Sequence, residues 1–213
     1  MSKETIKKEN CKNLISSDFY KDILDNKEAE YLIEKHILHN IPFYFKDNMD
    51  LLFNIKKQIG EKYNVSITNI YLVGSGQLGF SLAPQKEYRD FVHIESDVYK
   101  KRSDLDFAII SERLFGQIWD EICDYRLGEL AHNKEEKELF QAFQNYLFKG
   151  WIRPDLFPFD FPMKKDWFEF FKQFNPLVNR QVSCGIFRNE TSFLKQYRRS
   201  IKELIQLIRM EVL

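Results

Sequence analysis

Apolar residues recur at helical spacing through the first part of this chain. The pattern predicts a short helix over residues 16–26 and a second over 28–39. A third helix is predicted over 48–63, where apolar side chains fall three and four residues apart and so share one face. Those side chains are Leu52, Ile55, Ile59 and Tyr63. Residues 1–13 are polar and are expected to form a loose tail.

The middle and the end of the chain combine strand and helix patterns. Short apolar runs predict strands at 69–73, 103–110 and 180–188, with a further strand piece at 91–94. Helical spacing predicts helices over 112–130, 134–148, 166–174 and 191–212, and a short one over 78–82. The segment 151–162 is aromatic but interrupted by three prolines, so it is predicted to be extended and buried.

These elements predict an α+β fold with a small mixed β-sheet, flanking helices and a helical C-terminal part. The boundaries expected from the pattern divide the chain into three parts. Residues 1–47 form an N-terminal helical segment, 48–130 a core that holds the first two strands, and 131–213 a helical and aromatic part that contributes the last strand.

Composition narrows the classes of function. Lys and Arg number 32, as do Asp and Glu, so the formal net charge is zero and no extended DNA-binding groove is expected. Three separated cysteines without a Cys-x-x-Cys pair argue against a disulfide framework. No apolar run approaches the length of a membrane span, so a cytoplasmic protein without a membrane partner is expected.

Two motifs carry candidate chemistry. The first follows the strand at 69–73 and reads Gly74-Ser75-Gly76, so its backbone N–H groups can be aimed at a phosphate. The second begins the strand at 103–110, where Asp104 and Asp106 alternate and their carboxylates point to one face. Two carboxylates on one face repel each other unless a cation lies between them, and Mg²⁺ prefers carboxylate and phosphate oxygens.

A Gly-Ser pair at a strand end, followed by Asp-x-Asp on the next strand, resembles the DNA polymerase beta-like nucleotidyltransferase superfamily. The resemblance covers about 40 residues and implies the polymerase beta-like form of the small mixed sheet. It also implies transfer of a nucleoside monophosphate from an NTP to an acceptor, with release of pyrophosphate. By this resemblance, Asp104 and Asp106 are the catalytic residues and the ligands of Mg²⁺ or Mn²⁺. The implied nucleotide-binding residues are Gly74, Ser75, Gly76, Ser81 and Ser103.

Active members of that family usually add a third carboxylate from a neighbouring strand. The strand at 180–188 contains no acid, and Asp97, Asp155 and Asp160 are the substitutes considered. A catalytically weak or inactive nucleotide-binding regulatory protein of the same fold is therefore an alternative. The acceptor is left open among a small molecule, a protein and a tRNA end.

The same glycines also match a dinucleotide-binding fingerprint. Gly74, Gly76 and Gly79 read G-x-G-x-x-G, and Glu95 lies roughly 20 residues on, where an acid would bind a ribose. That Rossmann interpretation requires a full helix after the glycines and further alternating strand–helix units, whereas Pro84 follows closely. It remains the less favoured alternative. His36 and His39 are also close enough on a helix to share a metal, although surface positions are commoner.

Overall fold

The fold was analysed in a computed structural model of the chain. It describes residues 17–83, 86, 88–91, 102–124, 134–158 and 161–212. The predicted tail, most of the strand piece at 91–94 and the end of the helix predicted over 112–130 lie outside these residues.

Two compact units divide the chain, and each is built from separate segments. The first unit comprises Met1–Leu52, Leu72–Leu105 and Leu194–Leu213, and the second comprises Phe53–Tyr71 and Asp106–Phe193. The chain therefore passes from one unit to the other within the first two strands described below.

The first unit begins with helices that bury one apolar face each. Helix α1 spans Ser17–Leu24, and helix α2 spans Ala29–Ile33 and continues as a π-helix over Glu34–His39. Phe19 and Ile23, four residues apart on α1, are completely buried. Both predicted helices are therefore confirmed, with a π-helical turn that the apolar pattern did not predict.

The long C-terminal helix contributes most of its length to the same unit. It spans Glu190–Val212 and is labelled α9 below. Its apolar stripe buries Ile201, Leu204 and Ile208, which confirms the predicted helix. Arg198 on α9 pairs with Glu30 on α2, with 2.6 Å between Nε and Oε1.

The described strands form one four-stranded mixed sheet. Their bounds are β1 Ile70–Val73, β2 Leu105–Ile110, β3 Trp151–Ile152 and β4 Val182–Phe187, and their order is β1-β2-β4-β3. Strand β3 runs antiparallel to β4, and Trp151 lies opposite Phe187. The predicted α+β class with a small mixed sheet and three of its strands are thus confirmed, whereas β3 was predicted only as part of an extended segment.

Aromatic side chains pack against one another in the second unit, which holds all or most of the helices that follow. Helix α3 spans Met49–Tyr63, α5 Glu112–Asp124, α6 Lys134–Phe148, α7 Pro162–Lys172 and α8 Asn175–Val178. Tyr63 packs on Trp167 with 4.6 Å between ring centroids, and Trp167 packs on Phe171 at 5.0 Å. Within the described part of the chain, no helix combines the length and the apolar character needed to cross a membrane.

Candidate functional site

The glycine-rich turn lies in the first unit, directly after β1. Residues Gly74–Leu78 form a five-residue helix, α4, and Gly74 has a φ of 64°, in the left-handed region that favours glycine. Gly74 and Ser75 are half-buried, whereas Gly76 is buried. The helix predicted over 78–82 is wrong, because α4 starts four residues earlier and ends when Gly79 adopts a φ of 84°.

Close packing explains why position 76 carries glycine. A Cβ atom there would lie 2.8 Å from Cδ2 of Leu105 and 3.3 Å from Cδ2 of Leu72. These distances are shorter than ordinary contacts between carbon atoms. Gly76 therefore lets α4 approach its apolar neighbours, a role separate from the phosphate binding that the motif predicts.

Ser81 and Ser103, the other predicted nucleotide-binding residues, are both buried, with 9% and 8% of their surface exposed. The Ser81 hydroxyl accepts a hydrogen bond from the Ala83 amide at 3.2 Å, and the Ser81 amide donates to the Arg89 carbonyl at 2.9 Å. Ser81 thus stabilises the chain after α4. Among the predicted binding residues of this unit, Gly74 and Ser75 are more exposed than these two serines.

The aspartates of the Asp-x-Asp motif are the more accessible residues of a largely buried segment. Asp104 is half-buried just before β2, and Asp106 is exposed on β2. Leu105 and Phe107, which alternate with them, have 0% and 2% of their surface exposed. Strand alternation accounts for this pattern, since the apolar residues face the core and Asp106 points away from it.

Within the second unit, the carboxylate of Asp106 has a defined partner on the neighbouring strand. The Ser183 hydroxyl on β4 donates a hydrogen bond to Asp106 Oδ1 at 2.6 Å. A short hydroxyl–carboxylate bond is stronger than one between neutral groups and limits rotation of the carboxylate. Ser183 lies on the strand where the family resemblance places a third acid. The sequence offered only the alternation of Val182 and Cys184 around it as a signal.

The buried thiol next to Ser183 belongs to the core. Cys184 is 5% exposed, and its pKa is raised by burial and, to a lesser extent, by the negative charge of Asp106. A thiol with a raised pKa carries little thiolate and is a poor nucleophile. We therefore assign Cys184 to packing.

The donor chemistry of the motif fits a hard divalent cation. In the described part of the chain, no three or more His, Cys, Asp or Glu side chains form a group that could hold a metal ion. Mg²⁺, however, is commonly held by one or two carboxylates together with substrate phosphates and water. Asp104 and Asp106 provide such carboxylates. Of the substitute acids, Asp155 pairs with Arg153 at 2.6 Å, and Asp97 and Asp160 lie outside the described residues.

The first unit contains a buried polar cluster that no sequence pattern predicts. His36 is 2% exposed, whereas His39 is exposed, so the two do not form the metal pair considered above. His36 Nε2 lies 2.7 Å from Asp22 Oδ2, and Lys35 Nζ donates to the same oxygen at 2.6 Å. The partners lie 13 and 14 residues from Asp22, across a loop, and no short motif marks them.

Comparisons of this chain with protein-family models, curated proteins and solved structures found no match.

Proposed function

We propose that the protein is a nucleotidyltransferase that moves a nucleoside monophosphate from an NTP to an acceptor and releases pyrophosphate. The observation that carries the proposal is Asp106, an exposed carboxylate on a strand whose neighbouring residues are buried. Because it lies on the exposed face of the strand, this carboxylate is accessible to a cation and a substrate phosphate. Asp104 two residues earlier and the Gly74-Ser75 turn after β1 complete the residues that the proposal requires.

The chain's residues have distinct roles in this proposal. Asp104 and Asp106 would hold Mg²⁺ or Mn²⁺, which when bound neutralises phosphate charge and activates the acceptor hydroxyl. Ser183 orients Asp106 through the 2.6 Å hydrogen bond from its hydroxyl. Ser75 and the amides around it would hold the triphosphate, since hydroxyl and N–H donors match phosphate oxygens.

Calorimetric titration with each NTP in the presence of Mg²⁺ tests the proposal. Wild type should bind at least one NTP, and the double variant Asp104→Ala/Asp106→Ala should bind it much more weakly, because both carboxylate ligands of the cation are lost. Asp120→Asn is a matched control, since Asp120 is an exposed acid on α5. Equal binding and equal pyrophosphate release by wild type and the double variant would refute the role of the aspartates.

A second candidate function is a regulatory protein that binds the nucleotide without turning it over. The observation that favours it is Ser183, a neutral residue beside Asp106 on the strand where a third carboxylate was sought. This candidate predicts Mg²⁺-dependent NTP binding without pyrophosphate release under any acceptor condition. Sustained pyrophosphate release by the pure protein would exclude it.

The Rossmann alternative makes a different prediction. It requires a long helix after the glycines, and α4 has only five residues. Under that alternative, NAD would raise the melting temperature without any metal ion. The same thermal assay with NTP and Mg²⁺ therefore separates the two nucleotide classes.

The acceptor requires a screen rather than a single substrate. Each labelled NTP is incubated with the pure protein alone and with added lysate fractions of small molecules, protein and tRNA. A product formed by the protein alone would indicate transfer to a nucleotide or to the protein itself. A product that needs one fraction would identify the acceptor class.

A further inference from the structure

The π-helix of the first unit presents backbone carbonyls to the glycine-rich turn. Gln77 on α4 is 4% exposed, and its Nε2 donates to the His36 carbonyl at 2.9 Å and to the Asn40 carbonyl at 3.1 Å. Carbonyls at the end of a helix lack intrahelical donors, and a π-helical turn shifts the register further. One amide side chain thus meets two backbone acceptors on the preceding segment.

The residue that supplies the first carbonyl is itself firmly held. His36 Nε2 is 2.7 Å from Asp22 Oδ2, and the His36 ring packs on Phe19 with 4.8 Å between centroids. Lys35 donates to the same Asp22 oxygen at 2.6 Å. Because a buried polar group is costly to leave unpaired, this cluster resists rearrangement. The position of the His36 carbonyl is therefore set by a side-chain network on α1 and the π-helix.

The turn depends on such outside contacts. An isolated helix as short as α4 is unstable in water, so its conformation must be fixed by tertiary interactions. Gly76 packs against Leu72 and Leu105. Such an apolar contact does not fix the orientation of α4 as strictly as a pair of hydrogen bonds does. Gln77, two residues from Ser75, supplies that pair of bonds.

We infer that Gln77 is a positioning residue for the Gly74-Ser75 turn, anchored on the π-helix through the Asp22–His36 pair. Its importance for nucleotide binding rests on the proposed function of that turn. Gln77 acts through the backbone of α4 rather than by touching the nucleotide. Removing its donors should loosen the turn and weaken nucleotide binding, while Asp106 on β2 and Asp104 just before it are unchanged.

Native-state hydrogen exchange of Gln77→Met tests the positioning role without any nucleotide. Methionine keeps the length of the side chain but removes both donors. The reporter is the Gly79 amide, which donates to the Ser75 carbonyl at 2.9 Å. Its exchange should become at least about tenfold faster, after correction for global stability, because the buried His36 carbonyl and the part-buried Asn40 carbonyl lose their donor. Gln58→Met, at an exposed position on α3, should leave the rate unchanged.

If Gln77→Met does not fold, a second variant, Gln77→Asn, tests the same role. Gln77→Asn retains the amide but is one methylene shorter, so it cannot meet both carbonyls. It should speed Gly79 exchange at least about threefold, an intermediate effect. Unchanged Gly79 exchange in whichever folded variant is measured overturns the inference.

Calorimetric titration with NTP and Mg²⁺ then separates the inference from the proposed function. If wild type binds an NTP, Gln77→Met should weaken the affinity at least about tenfold, and Gln58→Met should not change it. Faster exchange with unchanged affinity would overturn the link to nucleotide binding. Faster exchange in a protein whose wild type binds no NTP would refute the proposed function and leave the positioning of the turn standing.

Discussion

At the scale of single residues, the hydrogen bond between Ser183 and Asp106 bears most directly on the proposed cation site. The Ser183 hydroxyl donates to Asp106 Oδ1 at 2.6 Å, so a carboxylate at position 183 would lie beside another carboxylate. Two adjacent carboxylates repel each other until a cation neutralises them. The present pair avoids that repulsion by using a neutral donor.

Replacing Ser183 with Asp should therefore make stability depend on a divalent cation. In EDTA, Ser183→Asp should melt below wild type by about 2–4 °C, the shift expected for roughly 1 kcal/mol in a chain of this size. Added Mg²⁺ should raise its melting temperature more than that of wild type. Ser183→Ala, which removes the donor without adding charge, should not gain this response. A Mg²⁺ shift no larger in Ser183→Asp than in wild type would show that an acid at position 183 does not join Asp106 in binding the cation.

The Asp22–His36 pair predicts a specific pH dependence of stability. Burial lowers the pKa of His36, and the hydrogen bond and charge of Asp22 only partly oppose this. The folded protein therefore binds fewer protons than the unfolded chain, whose histidine pKa is about 6.5. The free energy of unfolding should fall as the pH drops below about 6.5. Urea unfolding at pH 8, 7, 6 and 5 measures this fall in the free energy of unfolding.

Substitutions separate His36 from the other titrating groups. His36→Gln should flatten the change in unfolding free energy between pH 7 and 5, and His39→Gln, at an exposed position, should retain it. Burial raises the pKa of Asp22, but hydrogen bonds from Lys35 and His36 outweigh it and lower the pKa. Stability from Asp22 is therefore present above about pH 4 and is lost as the pH falls through its folded pKa. An identical slope in His36→Gln and wild type would contradict this assignment.

At the scale of elements, the short helix α4 depends on the absence of a side chain at Gly76. An added Cβ would lie 2.8 Å from Leu105 and 3.3 Å from Leu72. Gly76→Ala should lower the free energy of unfolding by about 1–3 kcal/mol, because the neighbouring side chains must shift. Urea unfolding measures the change. Gly116→Ala on α5, where a Cβ would meet nothing within 4 Å, should instead stabilise the protein by about 0.5–1 kcal/mol. Equal stability of Gly76→Ala and wild type would contradict the close packing.

Long elements could be predicted from the sequence because their patterns repeat over several turns. The helix predicted over 134–148 matches α6, Lys134–Phe148, and that over 191–212 differs from α9 by one residue at its start. The shortest strand and the helix after the glycines were not predicted correctly, since their stability comes from partners far along the chain. Strand β3 has two residues and exists through pairing with β4. Helix α4 was displaced in the prediction for the same reason.

The candidate site was predictable to a similar extent. Alternation alone places Asp106 on the exposed face of β2, because Leu105 and Phe107 need burial. Its hydrogen-bond partner Ser183 is 77 residues away in the sequence, and serine carries no motif signal at that position. The burial of His36 likewise depends on Asp22, which a helical period does not reveal.

At the scale of the whole molecule, the two units draw on distant parts of the chain. The first unit combines the N-terminal helices with the last part of α9, and Arg209 Nη2 donates to the Lys27 carbonyl at 3.4 Å. Contacts between segments so far apart leave no linker or change of composition in the sequence. The hydrophobic pattern predicts boundaries at 47 and 130. It contains no signal for units that are built from interleaved segments.

Pyrophosphate release reports directly on whether the protein is a nucleotidyltransferase. Wild type is assayed with each NTP and Mg²⁺, alone and with lysate fractions, beside Asp106→Asn and the control Asp120→Asn. The account predicts release by wild type and Asp120→Asn under at least one condition, and release about a hundredfold slower by Asp106→Asn, because a ligand of the cation has been removed. Equal rates in wild type and Asp106→Asn, or no release by wild type with any NTP and fraction, would contradict it.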